Sequence, residues 1–408
     1  MQDLGICDNP CVHKIGPASL AAIYRFCCAF EARLGDNSCT DVVLISPPDK
    51  PSITNAVFLL GAHMIMQRGG DPVQVDQRFL CAYPWLAVHA DGTQREHTEQ
   101  CHQLRLIDCW EGLWRAKQLS WVSFSPGGFE LSDYEHLDNP LNADLHEVVP
   151  GKFVAMRGPL SLPDGLAYED TTSGARNFSP AHYAYILQQY DVQVVVRLCE
   201  ARYDAAEWER EGLALADLPI EDCTVPPPGV VVKFLAIAEG VPGALAVHCK
   251  TGLGRTGTLI ALYMMKHHGF TARQAMGWLR ILRPGSVIGP QQQYLCDSEA
   301  AIHAAGERYR RRGGAAVGLR AGATVAEAAG FIAAAIAAAD AKAALLSGKY
   351  SQSFSPGRDG AWGLGGPGEA GLAEQVAAAA DGRSLRRAGS SGCLAAAEGG
   401  LGSGLRHV

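Results

Sequence analysis

Apolar residues along this chain gather in short unbroken runs and in longer stretches without proline. ALAVH (244–248) is a short run of the kind that forms a buried strand. TGTLIALYMMKHH (256–268) is long enough for a helix, and Gly269 directly after it is a typical helix end. The pattern therefore predicts a strand, a short connection and a buried helix.

The same alternation continues on both sides of this unit. TARQAMGWLRILRP begins with Thr271 and Gln274, which have the spacing of a capping box, and the helix they predict ends before Pro284. VQVVVRL (192–198) is a second buried strand. Strands that alternate with helices in this way indicate an α/β fold with a largely parallel central sheet.

Two parts of the chain show the same sequence pattern at a spacing of 200 positions, and this repeat is called the internal echo. Residues 54–74 align without a gap with 254–274, and both copies show a long apolar helix, a terminal glycine and the start of a second helix. VVLIS (42–46) is the predicted strand before the first copy. The echo indicates a duplicated fold whose first copy lacks the cysteine and arginine of the second. A chance likeness of two strand–helix units is the alternative.

The amino-acid composition of the chain changes after about residue 303. Up to there apolar and polar residues are mixed as in packed domains, whereas residues 304–408 are rich in Ala, Gly, Ser and Arg and predict disorder. Within this tail, 321–346 is rich in alanine and predicts a solvated or weakly packed helix. A membrane span is disfavoured because the stretch contains charged residues, namely Glu327, Asp340 and Lys342.

Net charge and cysteine usage limit the classes of function. The formal net charge of −7 argues against nucleic acid as the main partner and is compatible with a basic protein substrate. The 13 cysteines include no C-x-x-C pair, so the sequence predicts neither a metal site nor another cofactor. The N-terminus has no apolar signal core, so we expect a reducing intracellular compartment and no membrane insertion.

The connection between the predicted strand and helix, VHCKTGLGRTG (247–257), combines residue types that suit phosphate chemistry. A glycine-rich loop before a helix presents backbone N–H groups to an anion, and Arg255 adds a fork of donors. The same positive field favours a Cys249 thiolate, which can attack phosphorus to give a cysteinyl-phosphate. Thr256 can donate a hydrogen bond to the sulfur, and His248 is expected to order the loop rather than act as a base.

A proton donor for the leaving group is expected on a loop upstream. DLPIEDCTVPP (217–227) is rich in proline and polar residues, which predicts a loop. By spacing alone, Asp217, Glu221 and Asp222 are equally good candidates. The alternative is that these acids belong to an ordinary solvated turn.

Several stretches beyond the loop complete a family pattern. The chain resembles the cell-division-cycle-fourteen dual-specificity phosphatases over about 16–297. The resemblance rests on VHCKTGLGRTGTLIALYMMK (247–266), LRPGSVIGPQQQYL (282–295), GPASLAAIYRFCCAFEARL (16–34), LIDCWEGLWRA (106–116), YEHLDNPLNADLHEVVPGKF (134–153) and VVVRLCEARYD (194–204).

The resemblance implies two tandem phosphatase-like domains, of which the first is inactive, joined by a linker helix. This arrangement agrees with the internal echo. The expected regions are an N-terminal extension (1–15), an inactive phosphatase-like domain (16–130), a linker helix region (131–148), a catalytic cysteine phosphatase domain (149–303) and a disordered tail (304–408).

The resemblance also assigns roles within the motifs. It implies that Cys249 is the nucleophile, Arg255 the phosphate ligand, Asp222 the general acid and Gln291 the residue that orients the hydrolytic water. Cys223 stands where the family has a glycine after the acid, which bears on the mobility of that loop. The other expected phosphate-binding positions are Lys250, Thr251, Gly252, Leu253 and Gly254.

The family resemblance further implies a substrate, namely phosphoserine or phosphothreonine followed by proline, with a basic residue further on, and also phosphotyrosine. An acidic groove for the basic residue matches Glu135 and Asp138, with Asp144 nearby; without the resemblance these acids are typical of a solvated helix face. The implied role is reversal of cyclin-dependent kinase phosphorylation. The implied locations are nucleus, nucleolus and cytoplasm, including centrosome, spindle or basal body.

Two other functions fit the same residues. A phosphoinositide phosphatase of this fold usually carries an extra lysine inside the loop, where this chain has Leu253. A scaffold that binds phosphoproteins without turnover would not need a complete set of Cys249, Arg255 and a loop acid. The sequence indicates no particular oligomeric state.

Overall fold

The computed structural model describes residues 16–36, 41–86, 104–163, 165–172, 174–314 and 318–351, with side chains as far as residue 342. Side chains cap the start of three helices before the sheet, namely Ser19, Asp49 and Asp71, so local sequence determines where these helices begin. The elements of this first half are α1 (Leu20–Leu34), α2 (Lys50–Arg68), α3 (Pro72–Arg78), a 3₁₀ turn (Leu80–Trp85), α4 (Leu106–Gln118) and α5 (Leu131–Asp138).

The segment 42–46, predicted as a strand, does not form one. It pairs with no strand in the described part of the chain, and Val43 and Ile45 are each 78% exposed. An extended segment without a neighbour leaves its backbone N–H and C=O groups unpaired, so apolar alternation alone does not make a strand. The strand prediction for the first copy of the echo was wrong.

The second half contains the sheet. Its strands are β1 (Leu145–Val149), β2 (Phe153–Met156), β3 (Tyr168–Asp170), β4 (Arg176–Phe178), β5 (Val192–Arg197), β6 (Ala214–Asp217) and β7 (Ala244–His248). β3 and β4 form a separate hairpin, and the other five make one sheet in the order β1-β2-β7-β5-β6. β1 is antiparallel to β2 and the other neighbours are parallel. The predicted strands over 192–198 and 244–248 and the largely parallel sheet are confirmed.

The parallel strands end together at one edge of the sheet. In register, Met156 of β2 and Arg197 of β5 flank His248, the last residue of the fully buried strand β7. The loops that follow these strands therefore converge there, which is where open α/β sheets bind ligands.

Helices cover both faces of the sheet. α6 and α7 lie over one face around the buried Trp208, and α8 to α10 lie over the other, in a hydrophobic cluster that also includes α1, α2 and α4 of the first half. Thr271 and Gln274 form the predicted capping box of α10. The helices of the second half are α6 (Pro180–Leu187), a 3₁₀ turn (Gln188–Tyr190), α7 (Ala205–Arg210), α8 (Pro228–Gly240), α9 (Gly254–His268), α10 (Ala272–Leu282), α11 (Pro290–Arg311) and α12 (Val325–Ser351).

Two glycines allow α4 and α10 to cross closely, and this contact joins the two halves. A Cβ atom on Gly112 would lie 2.5 Å from the carbonyl oxygen of Gln274, and one on Gly277 would lie 2.7 Å from that of Asp108. Larger residues at either position would push the helices apart. One hydrophobic cluster accordingly runs through both halves of the molecule.

The linker region and the tail differ from the sequence prediction. Only 131–138 of the predicted linker helix region 131–148 is helical, and Leu145–Val149 form β1, whose apolar side chains complete the sheet. The disorder predicted for 304–408 is wrong where the structure describes the tail. Helix α11 extends to Arg311 and α12 buries Ile332 and three alanines against α8 and the sheet.

Candidate active site

The connection between β7 and α9 lies at the carboxyl edge of the sheet. Cys249 directly follows β7 and is 2% exposed, and α9 begins five residues later at Gly254. No side chain caps the first turn of α9, because the N-cap position is occupied by Leu253. The free N–H groups of that turn and the positive end of the helix dipole therefore face the loop, an arrangement that binds anions.

The loop geometry requires glycine at two of the predicted positions. Gly252 has a φ of +70°, and a Cβ atom there would lie 2.0 Å from the carbonyl oxygen of Met156. At Gly254 a Cβ atom would lie 2.8 Å from the side-chain oxygen of Gln291. These glycines let the loop curl tightly against β2 and against the start of α11.

The Cys249 thiol is easier to ionise than an ordinary cysteine. Burial by itself would raise its pKa, but a hydrogen bond from the Thr256 hydroxyl, the charge of Arg255 and backbone N–H groups outweigh this, so the pKa lies below the ordinary value of 9.0. Among the described residues the buried Thr256 hydroxyl has no competing hydrogen-bond partner, so it can turn toward the Cys249 sulfur. The loop thus favours a thiolate.

His248 is a neutral residue that orders the loop in this structure. Its Nδ1 donates to the carbonyl oxygen of Cys249 at 3.0 Å, so Nε2 must accept from the hydroxyl of Tyr203 at 2.7 Å. Burial lowers the pKa of His248 to about 4. Both ring nitrogens are occupied by the protein, which supports the expected ordering role. Tyr203 had no role in the sequence analysis.

Arg255 and Asp222 meet across the loop. The buried guanidinium of Arg255 donates to the carbonyl oxygen of Ile220 at 2.9 Å and pairs with the Asp222 carboxylate at 2.9 Å. The Asp222 side chain remains 62% exposed. The Asp222 carboxylate therefore occupies Nη2 of Arg255, a donor that could also bind another anion.

The other two candidate acids lie apart from Arg255. Asp217 at the end of β6 forms a bidentate ion pair with Arg197, with N–O distances of 2.8 and 2.9 Å. Glu221 is exposed, and its carbonyl oxygen accepts from Thr224. Geometry therefore favours Asp222 among the three acids that the spacing left open.

Cys223 follows the favoured acid in an unusual backbone conformation. Its φ is +59°, a left-handed value that suits the glycine found there in the resembling family better than cysteine. Its N–H donates to the Asp222 carboxylate at 3.1 Å. The turn that aims Asp222 is therefore formed despite the substitution, with some backbone strain.

Gln291 lies between two loops, namely the acid loop (217–227) and the phosphate loop (249–254) that joins β7 to α9. Its side-chain nitrogen donates to the carbonyl oxygen of Thr224 at 3.0 Å, and its side-chain oxygen accepts from the N–H of Ile288 at 3.3 Å. That oxygen also packs against Gly254. The structure therefore brings Gln291 to the edge of the loop that contains Cys249.

The remaining loop positions face outward to different degrees. Lys250 and Thr251 are exposed, whereas Leu253 is partly buried. The carbonyl oxygen of Lys250 accepts from the N–H of Gly158 at 3.3 Å, which ties the loop to the end of β2. These three residues contribute backbone rather than buried side chains to the loop.

Arg283 is a residue of this site that the sequence analysis did not identify. It is 2% exposed and donates to the carbonyl oxygens of Gly252 at 2.8 Å and Thr251 at 2.9 Å. It also pairs with the Asp144 carboxylate at 2.7 Å. The available signal was an arginine next to Pro284 at the end of an apolar helix, in a motif already used for the resemblance.

The three acids of the expected groove all have intramolecular partners. Glu135 pairs with Arg25, both side chains being 41% exposed. Asp138 lies 3.2 Å from Nε2 of His146 and is 50% exposed, whereas Asp144 is 27% exposed and bound to Arg283. Glu135 and Asp138 therefore present more of their carboxylates to solvent than Asp144 does.

Within the described ranges no group of three or more His, Cys, Asp or Glu side chains could hold a metal ion. None of the helices described there is both long enough and apolar enough to cross a bilayer.

Two family models match the chain. Residues 6–116 match the N-terminal half of dual specificity protein phosphatases, and residues 173–269 match the phosphatase of polymorphic toxin systems. The second match includes the loop with Cys249 and Arg255, whereas the first covers most of the helical half that precedes the sheet. The chain therefore contains two phosphatase-like domains.

Known relatives match both halves together. The chain is 33% identical over 299 residues to dual specificity protein phosphatase CDC14B of Mus musculus, 34% over 300 residues to CDC14C of Homo sapiens and 34% over 301 residues to human CDC14A. Each match covers 73% of this chain and respectively 59%, 64% and 49% of the relative. The chain thus spans less than two thirds of those relatives, and over the matched part it belongs to the CDC14 family of dual-specificity protein phosphatases.

Proposed function

We propose that this protein is a protein phosphatase that hydrolyses phosphomonoesters through a cysteinyl-phosphate intermediate. The observation that carries the proposal is the position of Cys249. Its buried thiol lies at the uncapped start of α9, beside Arg255, and its pKa is lowered by Thr256 and Arg255 despite burial. A site that stabilises a thiolate in this way also stabilises a phosphate dianion.

In the first step the Cys249 thiolate attacks phosphorus. An S–P bond forms as the P–O bond to the alcohol or phenol breaks, and the protonated Asp222 carboxyl gives its proton to the leaving oxygen. Nη2 of Arg255 turns from Asp222 to a phosphoryl oxygen, and the released carboxylate takes up the proton that it needs for this task. Arg255 thus exchanges one anion for another.

In the second step water breaks the S–P bond. The Asp222 carboxylate accepts a proton from the water, whose oxygen attacks phosphorus, and the Cys249 sulfur leaves as a thiolate. Thr256 donates to that sulfur, and the amide of Gln291 at the edge of the loop orients the water. Inorganic phosphate then leaves the site.

We further propose that the substrates are phosphoproteins, with phosphoserine or phosphothreonine followed by proline, and phosphotyrosine, as targets. The family membership supports this, since its relatives are named dual specificity and tyrosine-protein phosphatases. Glu135 and Asp138, the more exposed linker acids, would attract a basic residue downstream of the phosphate. The proposed role is reversal of cyclin-dependent kinase phosphorylation within the cell, in nucleus and cytoplasm.

The test compares three substrates with wild type and Cys249→Ser. We expect turnover on a phosphoserine-proline peptide with a downstream lysine, less on the same peptide without the lysine, and little on a soluble phosphoinositide. Cys249→Ser should bind the peptide without turning it over. Preference for the phosphoinositide would indicate a lipid phosphatase, and binding without turnover by the wild type would indicate a scaffold.

The role of the exposed acids has its own test. Glu135→Gln combined with Asp138→Asn should lower kcat/KM about 5- to 30-fold on the basic peptide, because each exposed ion pair contributes roughly 0.5–1 kcal/mol. The loss should shrink at high salt. An equal loss on an uncharged aryl phosphate would mean that the variant disturbs the fold rather than recognition.

A further inference from the structure

We propose that Arg283 is a positioning residue that holds the phosphate loop in its binding shape, and that Asp144 acts through Arg283 rather than by binding substrate. This inference rests on the proposed function for its reaction, but its geometry concerns the loop alone. It gives Asp144 a different task from the exposed acids Glu135 and Asp138.

The guanidinium of Arg283 bonds to the outer side of the loop at two successive residues. Nε donates to the carbonyl oxygen of Gly252 at 2.8 Å and Nη2 to that of Thr251 at 2.9 Å. When these two carbonyl groups point outward to the arginine, the N–H groups of the peptide planes they belong to point the other way, toward the space above Cys249. Arg283 thereby fixes the direction of the donors that a phosphate needs.

The orientation of the loop does not follow from the loop residues themselves. Gly252 has a φ of +70°, a conformation that glycine leaves as readily as it adopts. A flexible residue at this point has to be held by contacts from outside, and Arg283 at 2% exposure is the cation that contacts it. A lysine has one ammonium group on a flexible stem and does not reproduce this planar fork.

Asp144 holds the other side of the same guanidinium. Its carboxylate pairs with Nη2 of Arg283 at 2.7 Å, and its φ of +52° is a left-handed value that few residues other than glycine tolerate. Its carbonyl oxygen also accepts from the N–H of Arg157 at 3.1 Å. The chain thus adopts a left-handed turn before β1, which aspartate tolerates better than most residues, and this turn places the carboxylate against Arg283.

A second connection reaches Arg283 from the linker helix. Nη1 of Arg283 donates to Nδ1 of His146 at 3.1 Å, and Nε2 of His146 faces Asp138 at 3.2 Å. The buried imidazole has a lowered pKa, so it remains neutral between the arginine and the carboxylate. Arg283 therefore lies between the linker and the phosphate loop, with Asp144 as its direct carboxylate partner.

The first measurement is the affinity for inorganic tungstate, a tetrahedral dianion, followed by calorimetry. Arg283→Lys should weaken tungstate binding at least about 10-fold. The matched control is Arg115→Lys, because Arg115 also donates twice to a backbone carbonyl, that of His268 at the far end of α9. Thermal denaturation of each variant shows whether it is folded. A folded Arg283→Lys variant that binds tungstate like the wild type would overturn the inference.

The second variant removes only charge and is expected to fold. Asp144→Asn keeps a residue type that tolerates left-handed backbone, and we expect tungstate affinity to fall about 3- to 5-fold. Asp170→Asn is the control, since Asp170 pairs with Arg176 at the same 2.7 Å without contact to the loop. Wild-type affinity in Asp144→Asn overturns the inference even if Arg283→Lys does not fold.

Two substrates separate positioning from recognition. Asp144→Asn should lower kcat/KM by the same factor on an uncharged aryl phosphate and on the basic phosphopeptide. A loss confined to the basic peptide would mean that Asp144 binds the substrate directly. If the wild type binds tungstate but hydrolyses neither substrate, the proposed function fails while the tungstate series still decides the role of Arg283.

Discussion

Helices α2 and α9 occupy equivalent positions in the two copies of the 200-residue echo, and their C-terminal ends match closely. α2 ends at Gly69 with a φ of +68°, and α9 ends at Gly269 with a φ of +67°. In each copy a new helix begins three residues after the glycine, and backbone N–H groups of its first turn donate to a capping side chain. The shared part is the scaffold of a buried helix and its exit.

The N-terminal ends of the two helices differ, and this difference separates a scaffold from a site. Asp49 aligns with Cys249, and its carboxylate accepts from the N–H of Ser52 at 2.9 Å, so α2 caps itself. α9 has no such cap and leaves its first turn to the thiol and to an incoming anion. In the first copy the Asp49 carboxylate therefore occupies the N–H groups at the start of α2, where an anion could otherwise bind. In the second copy the start of α9 has no such cap, and Arg255 stands where the first copy has Asn55.

The thiol is the sharpest difference between the copies, and its removal should have the largest effect. Cys249→Ser should lower kcat by at least about 1,000-fold, because a serine hydroxyl is not ionised where the thiolate is. Serine is close to cysteine in size, so the melting temperature and tungstate affinity should change little. Turnover near the wild-type rate would show that the uncapped helix does not act through this nucleophile.

The acid loop (217–227) has no counterpart in the described part of the first copy, and loss of its acid should have the second largest effect. Asp222→Asn should lower kcat about 100-fold on an alkyl phosphate, the usual contribution of a general acid, and much less on an aryl phosphate with a good leaving group. The control is Glu221→Gln, an exposed neighbour in the same loop. A larger effect from Glu221→Gln would transfer the role to that residue.

A substitution at Thr256 tests how the start of α9 lowers the pKa of Cys249. Thr256→Val removes a hydrogen bond to the sulfur and should raise that pKa toward 9.0. Because the thiolate is the reactive form, the acidic limb of kcat/KM should move to higher pH, and activity below that limb should fall about 3- to 10-fold.

Thr258→Val is the matched control for this effect. Its hydroxyl donates to the carbonyl oxygen of Gly254 at 2.8 Å, one turn along the same helix, and not to the sulfur. The acidic limb of Thr258→Val should stay in place. A similar shift in both variants would mean that packing of α9, and not the hydrogen bond to sulfur, determines the pKa.

Most of the second half of the fold could be predicted from the sequence because its signals are local. The run 244–248, the helix over 256–268 and the capping box at Thr271 depend on residues within a few positions of each other. The strand expected at 42–46 failed because a strand also needs a partner, which apolar alternation does not supply.

The tail also shows that sequence-based prediction misses long-range contacts. Alanine composition predicted a helix but not its burial, since α12 packs by small side chains against α8. At the contact, a Cβ atom on Gly240 would lie 2.1 Å from the ring of Phe331, so the fit depends on a glycine 91 positions earlier. Such long-range complementarity is not visible in composition.

The residues of the active site also fall into those that the sequence could identify and those that it could not. Cys249, Arg255 and the glycines could be identified because they lie in one loop with a fixed chemical order. The pairing of Asp222 with Arg255 and the contacts of Arg283 with the loop join residues that are 31 or more positions apart. Spacing left the acid open and gave Arg283 no role, because both depend on how separate loops converge at the sheet edge.

The smallest effect is expected from a change at the start of α2, which Asp49 caps in the first copy. Asp49→Ala removes the cap of α2 and should lower the free energy of unfolding, because the N–H of Ser52 loses its side-chain acceptor. The pKa of Asp49 is lowered chiefly by its hydrogen bond from the Ser52 backbone, so this stabilisation should be lost as the pH falls through that lowered pKa. Chemical denaturation of wild type and variant at neutral and at acid pH measures both. Turnover on an aryl phosphate should stay within about twofold of the wild type, and a large loss of turnover in a variant that remains folded would show that the first copy takes part in the chemistry.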